Sequence, residues 1–548
     1  MRVDLILLCD KSASDIEWPL GDVHVAAPQP ATVQAIIDRV LSEGPEICFF
    51  WDLTLGPPDP SSAQRAISRP GHVWHAGLRL GTGGLPGLID FVAPTWMLNR
   101  DPDASIEATS WRISLHACLI RTDVLRQLGG IDTRFQSLDG AALEMGHRFI
   151  SKGVFVRHIP WLLPEHIEPR TIRLPLHDEF LFVRTRFKPW QFTWAAARVL
   201  LSRYAAPWHV ARAWSKCAQY SIEAEKIAFH PEPELNAPHV TTNSRATVTV
   251  LIPTIDRYPY LRKVLSQLRD QTVAPTEIVV IDQTPTSARD DNIARDFADL
   301  PLKLIYLDTA GQCTSRNAGI QSSAGDYILF IDDDDEIGPD LVQRHLESMA
   351  RFGSNVSCGI AHEDGAGALP YNFSIIRASD VFPTNNSMIK RNVLLHSGLF
   401  DLAYDRGSRA DGDLGMRLYL SGQLMVLNPE ISVFHHHAPR GGLRTHKARA
   451  ITYASSRTKL FHRHLPSVSE IYLAKRYFSE RQVRESLWLR AFGTFAQRGS
   501  KTRKVLKSLI AITLLPDTWM KIRQRTHQAE QLLETYPQIP QLEPQLND

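Results

Sequence analysis

Five consecutive carboxylates, Asp332, Asp333, Asp334, Asp335 and Glu336, follow directly on the apolar run Tyr327, Ile328, Leu329, Phe330 and Ile331. At neutral pH neighbouring like charges raise one another's pKa unless a counter-charge arrives. A divalent cation meets that need, because hard oxygen ligands suit Mg2+ or Mn2+. Side chains alternate along an extended chain, so Asp332 and Asp334 can face the same way. The competing reading is a solvated acidic loop that caps a helix beginning near Pro339.

The surrounding sequence says what must hold these acids. From Thr247 onward apolar runs and helical patterns alternate, which implies an α/β unit with a parallel sheet. VTVLIPT (248–254), EIVVID (277–282) and LKLIYLD (302–308) read as strands, with a helix over 258–270 and another over 314–322. In open α/β sheets ligands sit beyond the carboxyl ends of the strands. Thr254, Asp256, Asp282 and the acids from Asp332 to Asp335 all fall at such ends, so they belong to one rim.

The first 165 residues hold a weaker copy of this plan. ACLIRTDVLRQLGGIDTRF aligns without gaps on NSMIKRNVLLHSGLFDLAY, at one offset of 269 (401 − 132, 415 − 146 and 422 − 153). The same offset sets Glu144 opposite Asp413, and a separate match of ICFFWDLTLGPPD to YILFIDDDDEIGPD, at an offset of 280 (332 − 52), sets Asp52 opposite Asp332 and Thr54 opposite Asp334. An ungapped match of this length indicates two related domains. The fold class is α/β, with two tandem Rossmann-like units of mostly parallel sheet, a helical linker and a helical C-terminal region. The expected boundaries are 1–165, 166–246, 247–449 and 450–548. Residues 231–247, with three prolines, read as a linker, and the Pro/Gln-rich stretch 536–548 as disordered.

Composition narrows the class. With 548 residues the chain exceeds one core, and 43% hydrophobic and 22% charged residues are ordinary for a globular protein. A net charge of +2 predicts no general affinity for nucleic acid. Six scattered cysteines without a CxxC pair argue against a zinc site or a disulfide framework and suit a reducing compartment. MRVDLILLCD reads as a first strand rather than a signal peptide, and no apolar run approaches the ~20 residues that cross a bilayer. A cytoplasmic location follows. Basic residues between Lys475 and Lys507, interleaved with Tyr477, Phe478, Trp488 and Phe492, read either as a packed helical region or as a surface for anionic lipid headgroups at the inner face of the membrane.

VTVLIPTIDRYPYLRKVL, EIVVIDQTPT, GQCTSRNAGIQSSAGDYILFIDDDDEIGPD, NNSMIKRNVLLHSGLFD and RADGDLGMRLYLSG together resemble the family 2 glycosyltransferases, inverting enzymes of GT-A fold. The resemblance covers about 247–444; the N-terminal copy would be a degenerate GT-A-like domain. It implies a nucleotide-diphosphate sugar donor, most simply UDP-linked, a divalent cation (Mn2+ or Mg2+), and a glycan, lipid-linked or protein acceptor. It matches Thr254 and Asp282 to positions holding base and ribose, and Asp332 and Asp333 to positions near the ribose; Asp256, on the same rim, is a further candidate for binding the nucleotide. Arg316 matches a nucleotide-binding arginine. It makes Asp334 a metal ligand, with Asp332 and His435 beside it. Asp413 best matches the base that takes the acceptor's proton, with Asp411 as runner-up; the family's usual Glu-Asp pair is Gly412-Asp413 here. Gly441, Gly442 and Arg444 suggest a loop that closes over the diphosphate.

Two other classes compete. A non-catalytic pseudoenzyme that binds a nucleotide sugar or scaffolds glycan assembly would lack turnover in both copies. A nucleotidyltransferase would need a glycine-rich, basic phosphate loop after the first strand, where this chain has IPTIDRYPY. Thr54, standing where a metal ligand is needed, and the shortened first half predict that the N-terminal copy is not a working transferase.

Overall fold

The fold is described from a computed structural model, covering residues 1–543 apart from 10–15, 79–88, 90–99, 101, 222–226, 232–245, 364–366, 439–440, 446–459, 462, 464 and 497–498. Most of the expected linker, and the end of the C-terminal stretch, lie outside these residues.

Two mixed sheets organise the chain. The first holds β1 (Val3–Leu8), β2 (Val23–Ala26), β3 (Ile47–Asp52), β4 (Val73–Ala76), β5 (Ala108–Thr109), β6 (Ala117–Arg121) and β7 (Val156–His158), in the order β2-β1-β3-β6-β4-β7-β5. The second holds β8 (Val248–Thr254), β9 (Glu277–Asp282), β10 (Leu302–Tyr306), β11 (Tyr327–Ile331), β12 (Asp335–Ile337), β13 (Val356–Glu363), β14 (Arg377–Ala378), β15 (Asn386–Lys390) and β16 (Met425–His435). Its order is β10-β9-β8-β11-β15-β13-β16-β12, with β14 also on β16.

The orders superpose: β2, β1, β3, β6, β4, β7 and β5 take the places of β9, β8, β11, β15, β13, β16 and β14. In both sheets the strands on one side run parallel, and the central pair β3–β6 or β11–β15 is antiparallel. Among the described residues the first sheet has no counterpart of β10 or β12, so it lacks the strand that carries Asp335 opposite His435.

The strands read as apolar runs because both faces are covered. Leu261, Val264, Leu265 and Leu268 recur at helical spacing and form the buried stripe of helix Tyr258–Arg269 against the sheet. Helix Gln312–Ser322 begins where Asp405 accepts from the backbone N–H groups of Cys313 and Thr314 (2.7 and 2.9 Å), satisfying two of the donors a helix start leaves open.

The 269-residue offset persists in three dimensions. Helices Leu138–Ser151 and Ala410–Leu420 correspond, and each buries an i,i+4 ion pair, Glu144–Arg148 at 3.2 Å and Asp413–Arg417 at 2.9 Å. Both arginines reach equivalent carbonyls, of Leu128 and Ser397. Gly129 and Gly398 share a positive φ (79° and 74°), as do Gly153 and Gly422 (97° and 80°).

The two halves meet through this last pair. A Cβ at Gly153 would lie 2.5 Å from the Ile376 carbonyl oxygen, and one at Gly422 would lie 2.2 Å from that of Glu107. Both offsets are 269 (422 − 153 and 376 − 107), so the seam is built from equivalent surfaces facing each other. Phe155, Phe352, Ile376, Ala378, Leu424 and Val426 fill it.

The C-terminal region is helical: Val468–Tyr477, Glu480–Gly493, Lys501–Thr513 and Leu515–Thr535. Ser467 with Glu470 and Ser479 with Gln482 form capping boxes at the first two. One expectation is corrected here. The Pro/Gln-rich stretch is ordered as far as Glu543: the Pro540 carbonyl accepts from Leu399 N–H at 2.8 Å, and Leu542 is buried. An extended proline-rich segment has no internal hydrogen bonds, and here the second domain supplies the partner. Among the described residues no helix is long and apolar enough to cross a membrane.

Candidate functional site

Strand β11 ends at Ile331, and the chain turns at once into β12, so four aspartates crowd one strand end. β12 pairs antiparallel with β16, setting Asp335 opposite His435. Ligand atoms of Asp332, Asp334 and His435 thereby come within 4.8 Å of one another. Asp334 Oδ2 accepts from Ala438 N–H at 2.8 Å and lies 3.0 Å from the Arg257 guanidinium. Its Oδ1 is buried and, among the described residues, has no hydrogen-bond partner, with His435 Nδ1 3.7 Å away. An orphaned carboxylate oxygen is costly in a protein interior. Together with a second carboxylate and an imidazole in reach, it makes a donor set that fits a hard divalent cation.

The remaining acids are held by protein groups. Asp333 accepts from Thr254 Oγ1 at 2.7 Å and from Arg257 at 3.1 Å. Burial pushes its pKa up to about 7 against the pull of Arg257. Asp335 accepts from the Asp332 N–H at 2.9 Å and pairs with His435 Nδ1 at 2.8 Å. Burial raises it to about 7 as well, with the His435 bond opposing. Burial works against a charge on His435, but the Asp335 bond and the charges of Asp332 and Asp334 lift it to about 9.

Arg316, on helix Gln312–Ser322, donates to Asp332 Oδ1 at 2.8 Å and to the Gln312 carbonyl at 3.1 Å. Thr254 and Asp282 are register partners at the ends of β8 and β9. Asp282 is fully engaged: Oδ1 accepts from Thr284 N–H at 2.9 Å in an Asx turn, and Oδ2 from the Tyr258 hydroxyl at 2.7 Å. Asp256 is exposed at a positive φ of 56°, and its N–H donates to Thr284 Oγ1. Gly441 and Gly442, with φ of 71° and 74°, pack on Asp256 and Arg257, and the Ile255 carbonyl accepts from Gly442 N–H at 2.8 Å. The Arg444 side chain lies outside the described residues.

Thr254, Arg316, Asp332, Asp333, Asp334 and His435 are therefore one connected constellation, with Asp256 and Asp282 on its flank. Asp413 has different company. It is fully buried, with Oδ1 accepting from the Tyr477 hydroxyl at 2.7 Å and Oδ2 from Arg417 Nε at 3.0 Å. Burial lowers the charge preference of Arg417, but Asp413 raises its pKa overall. Asp411 is half-buried in the first turn of the same helix, and among the described residues its carboxylate has no hydrogen-bond or ion-pair partner.

Sequence reasoning missed three residues here. Arg257 ties Asp333 to Asp334; it directly follows Asp256 at the strand end, which was the available signal. Asp335 orients His435 through the 2.8 Å contact, and in the sequence nothing sets it apart from the acids around it. Tyr477 carried no signal, because nothing local links it to a carboxylate 64 residues earlier.

In the N-terminal copy, Asp52 Oδ1 accepts from the N–H and hydroxyl of Thr54 (2.9 and 2.7 Å), and Oδ2 pairs with His116 Nδ1 at 2.5 Å. Although burial opposes it, these bonds hold its pKa at about 2. Glu144 lies between Arg148 and Arg186.

Comparison with known proteins gives a consistent assignment. Residues 249–403 match the family described as Glycosyl transferase family 2. "Glycosyltransferase GlyA" of Streptococcus pneumoniae is 30% identical over 114 residues, which is 20% of this chain and 16% of that protein. "Uncharacterized glycosyltransferase YwdF" of Bacillus subtilis is 31% identical over 105 residues, 19% of this chain and 37% of that one. The chain thus spans well under half of either relative. A solved structure of TarS 1-349 from S. aureus in complex with UDP-GlcNAc aligns over 53% of this chain and 92% of its own, at 15% identity and a TM-score of 0.34, too low to carry an argument.

Proposed function

Because residues 249–403 belong to glycosyltransferase family 2, we propose that the chain moves a sugar from a nucleotide-diphosphate sugar, UDP-linked, to a hydroxyl of a glycan, lipid-linked or protein acceptor, with inversion. The observation that carries this reading is the buried Oδ1 of Asp334, which has no hydrogen-bond partner among the described residues and lies 3.7 Å from His435 Nδ1, beside Asp332. These three residues would hold a divalent cation. Bound there, it would supply charge neutralisation for the departing nucleoside diphosphate.

The chain's own groups carry the rest. Thr254, Asp256 and Asp282 line the strand ends where base and ribose would lie. Arg316, joined to Asp332, sits where a guanidinium can share its donors with phosphate oxygens. Arg257 spans Asp333 and Asp334 and lowers the mutual repulsion that an ion would otherwise have to offset alone. The acceptor hydroxyl must lose a proton as it attacks, which needs a carboxylate free to accept one. Asp413 is a poor candidate, since both of its oxygens are committed to Arg417 and Tyr477. We therefore assign the base to Asp411, two residues earlier and, among the described residues, unpartnered. Asp413 holds the helix that carries it.

The N-terminal copy is assigned no turnover, because Thr54 replaces the ligand corresponding to Asp334 and its hydroxyl occupies Asp52. It braces the second domain across the glycine seam. The test is a screen of the purified chain with Mn2+ against a panel of sugar nucleotides, reading nucleoside diphosphate release, beside calorimetry of UDP with and without Mn2+. Release from one donor that is lost in Asp334→Ala supports the reading. Failure of every donor to be turned over, with UDP binding retained, would favour a nucleotide-sugar-binding pseudoenzyme.

A further inference from the structure

Helix Lys501–Thr513 is mounted the wrong way round for a helix that serves only a protein core. Its buried residues are Lys507 and Ala511, whereas Val505, Leu506, Leu509 and Ile512 are 60%, 45%, 57% and 58% exposed. At 3.6 residues per turn, positions 505, 509 and 512 fall on one stripe, with 506 at its edge and 507 and 511 on the opposite side. The Lys507 ammonium is turned inward and donates to the Leu460 carbonyl at 2.7 Å, so the amphipathic pattern is inverted by a specific contact. Exposed apolar side chains gathered in one patch mark an interaction surface.

The charges around the stripe identify what covers it. The helix KTRKVLKSLIAIT contains no acidic residue. Lys501, Arg503 and Lys504 are exposed, with Lys501 and Lys504 beside one edge of the stripe and Arg503 beyond the other. Phe461, 75% exposed, follows the Leu460 that binds Lys507, and Met520 on the next helix is 61% exposed. An apolar stripe flanked by ammonium and guanidinium groups matches a bilayer interface, in which acyl chains take the stripe and anionic headgroups take the rim. A second copy of the same helix would instead bring two basic rims together.

We propose that the exposed face of Lys501–Thr513 docks the protein on an anionic lipid surface. This goes beyond the transferase reading and does not depend on it: the surface lies on the C-terminal helices, outside residues 249–403. The test uses the full chain and vesicles of phosphatidylcholine alone or mixed equally with phosphatidylglycerol, with co-sedimentation as readout. The expected result is binding to the mixed vesicles only, weakened by salt. The doubles Leu509→Asp/Ile512→Asp and Lys501→Glu/Lys504→Glu should each weaken it by at least about tenfold. Arg295→Glu, an exposed change elsewhere, should leave it intact. Circular dichroism and light scattering on each variant check fold and mass. Equal binding to both vesicle types, no binding by the parent chain, or a doubled mass that Leu509→Asp/Ile512→Asp abolishes would each overturn the proposal; the last would make the face a contact between copies.

Discussion

The Tyr477 hydroxyl donates to Asp413 Oδ1 at 2.7 Å, so the last residue of a C-terminal helix closes the one side of that carboxylate which Arg417 leaves open. Burial, with Asp413 next in order, pushes the Tyr477 phenol well above its ordinary pKa. The C-terminal region is thus bonded into the interior of the second domain.

Removing either side of that link should cost stability rather than chemistry. Tyr477→Phe leaves a buried carboxylate oxygen unpaired, a loss of about 1–3 kcal/mol. Asp413→Ala strands the Arg417 charge and should cost about 3–5 kcal/mol. Urea denaturation measures both. Tyr477→Phe should keep most of its turnover per folded molecule.

Asp411→Asn is the contrasting case. Stability should stay within about 0.5 kcal/mol of the parent, as for an unpaired partly exposed group. Sugar transfer should fall about 100-fold or more, with calorimetric donor binding unchanged. Full activity in this variant would return the role of base to another group.

Asp334→Ala should abolish Mn2+ binding measured by calorimetry without any donor present. Arg257→Gln should tighten it, since a competing cation leaves the corner while Asp333 and Asp334 remain. Weaker Mn2+ binding by Arg257→Gln would show that the guanidinium organises the ligands instead of competing for them.

His345 is wholly buried between Ser357 and Asn386, and burial depresses its pKa to about 4. Its neutral form is the folded one, so protonation favours the unfolded chain. Its contribution is complete above pH ~6.5 and is lost as pH falls from there toward about 4, by roughly 3 kcal/mol. The stability of the parent relative to His345→Gln, followed by denaturant unfolding over that range, isolates this slope from Asp333 and Asp335. A flat difference would place a charged imidazole in the fold.

Gly422→Ala and Gly153→Ala should each destabilise by about 1–3 kcal/mol, because positive φ and a carbonyl contact act together. Gly44→Ala has a positive φ of 81° but nothing within 4 Å, so it should cost only the backbone part. Thermal melts of the three separate strain from the seam.

Much of this architecture is legible in the sequence, and what is not has physical causes. Strands with both faces buried announce themselves as apolar runs, and the acids at their ends mark the rim. Residue types alone single out the acids; His435 is pointed to only by the family resemblance, and it is the pairing of β12 with β16 that brings it within reach of Asp332 and Asp334. The ion pair of Asp413 with Arg417 is legible too, since four residues on a helix is the spacing of such a pair. Tyr477 and the Pro540 carbonyl are a different matter. Their partners lie 64 and 141 residues away (477 − 413 and 540 − 399), and a tyrosine or a backbone carbonyl carries no mark of what it will bond.

Gly153 against Ile376 and Gly422 against Glu107 make a contact of the kind two identical subunits share about a two-fold axis. Here one polypeptide supplies both sides, so the association is unimolecular and does not weaken on dilution. Such a permanently tethered companion is free to diverge at its strand ends, where Thr54 stands in the place of Asp334, while still presenting the surface its sibling packs against.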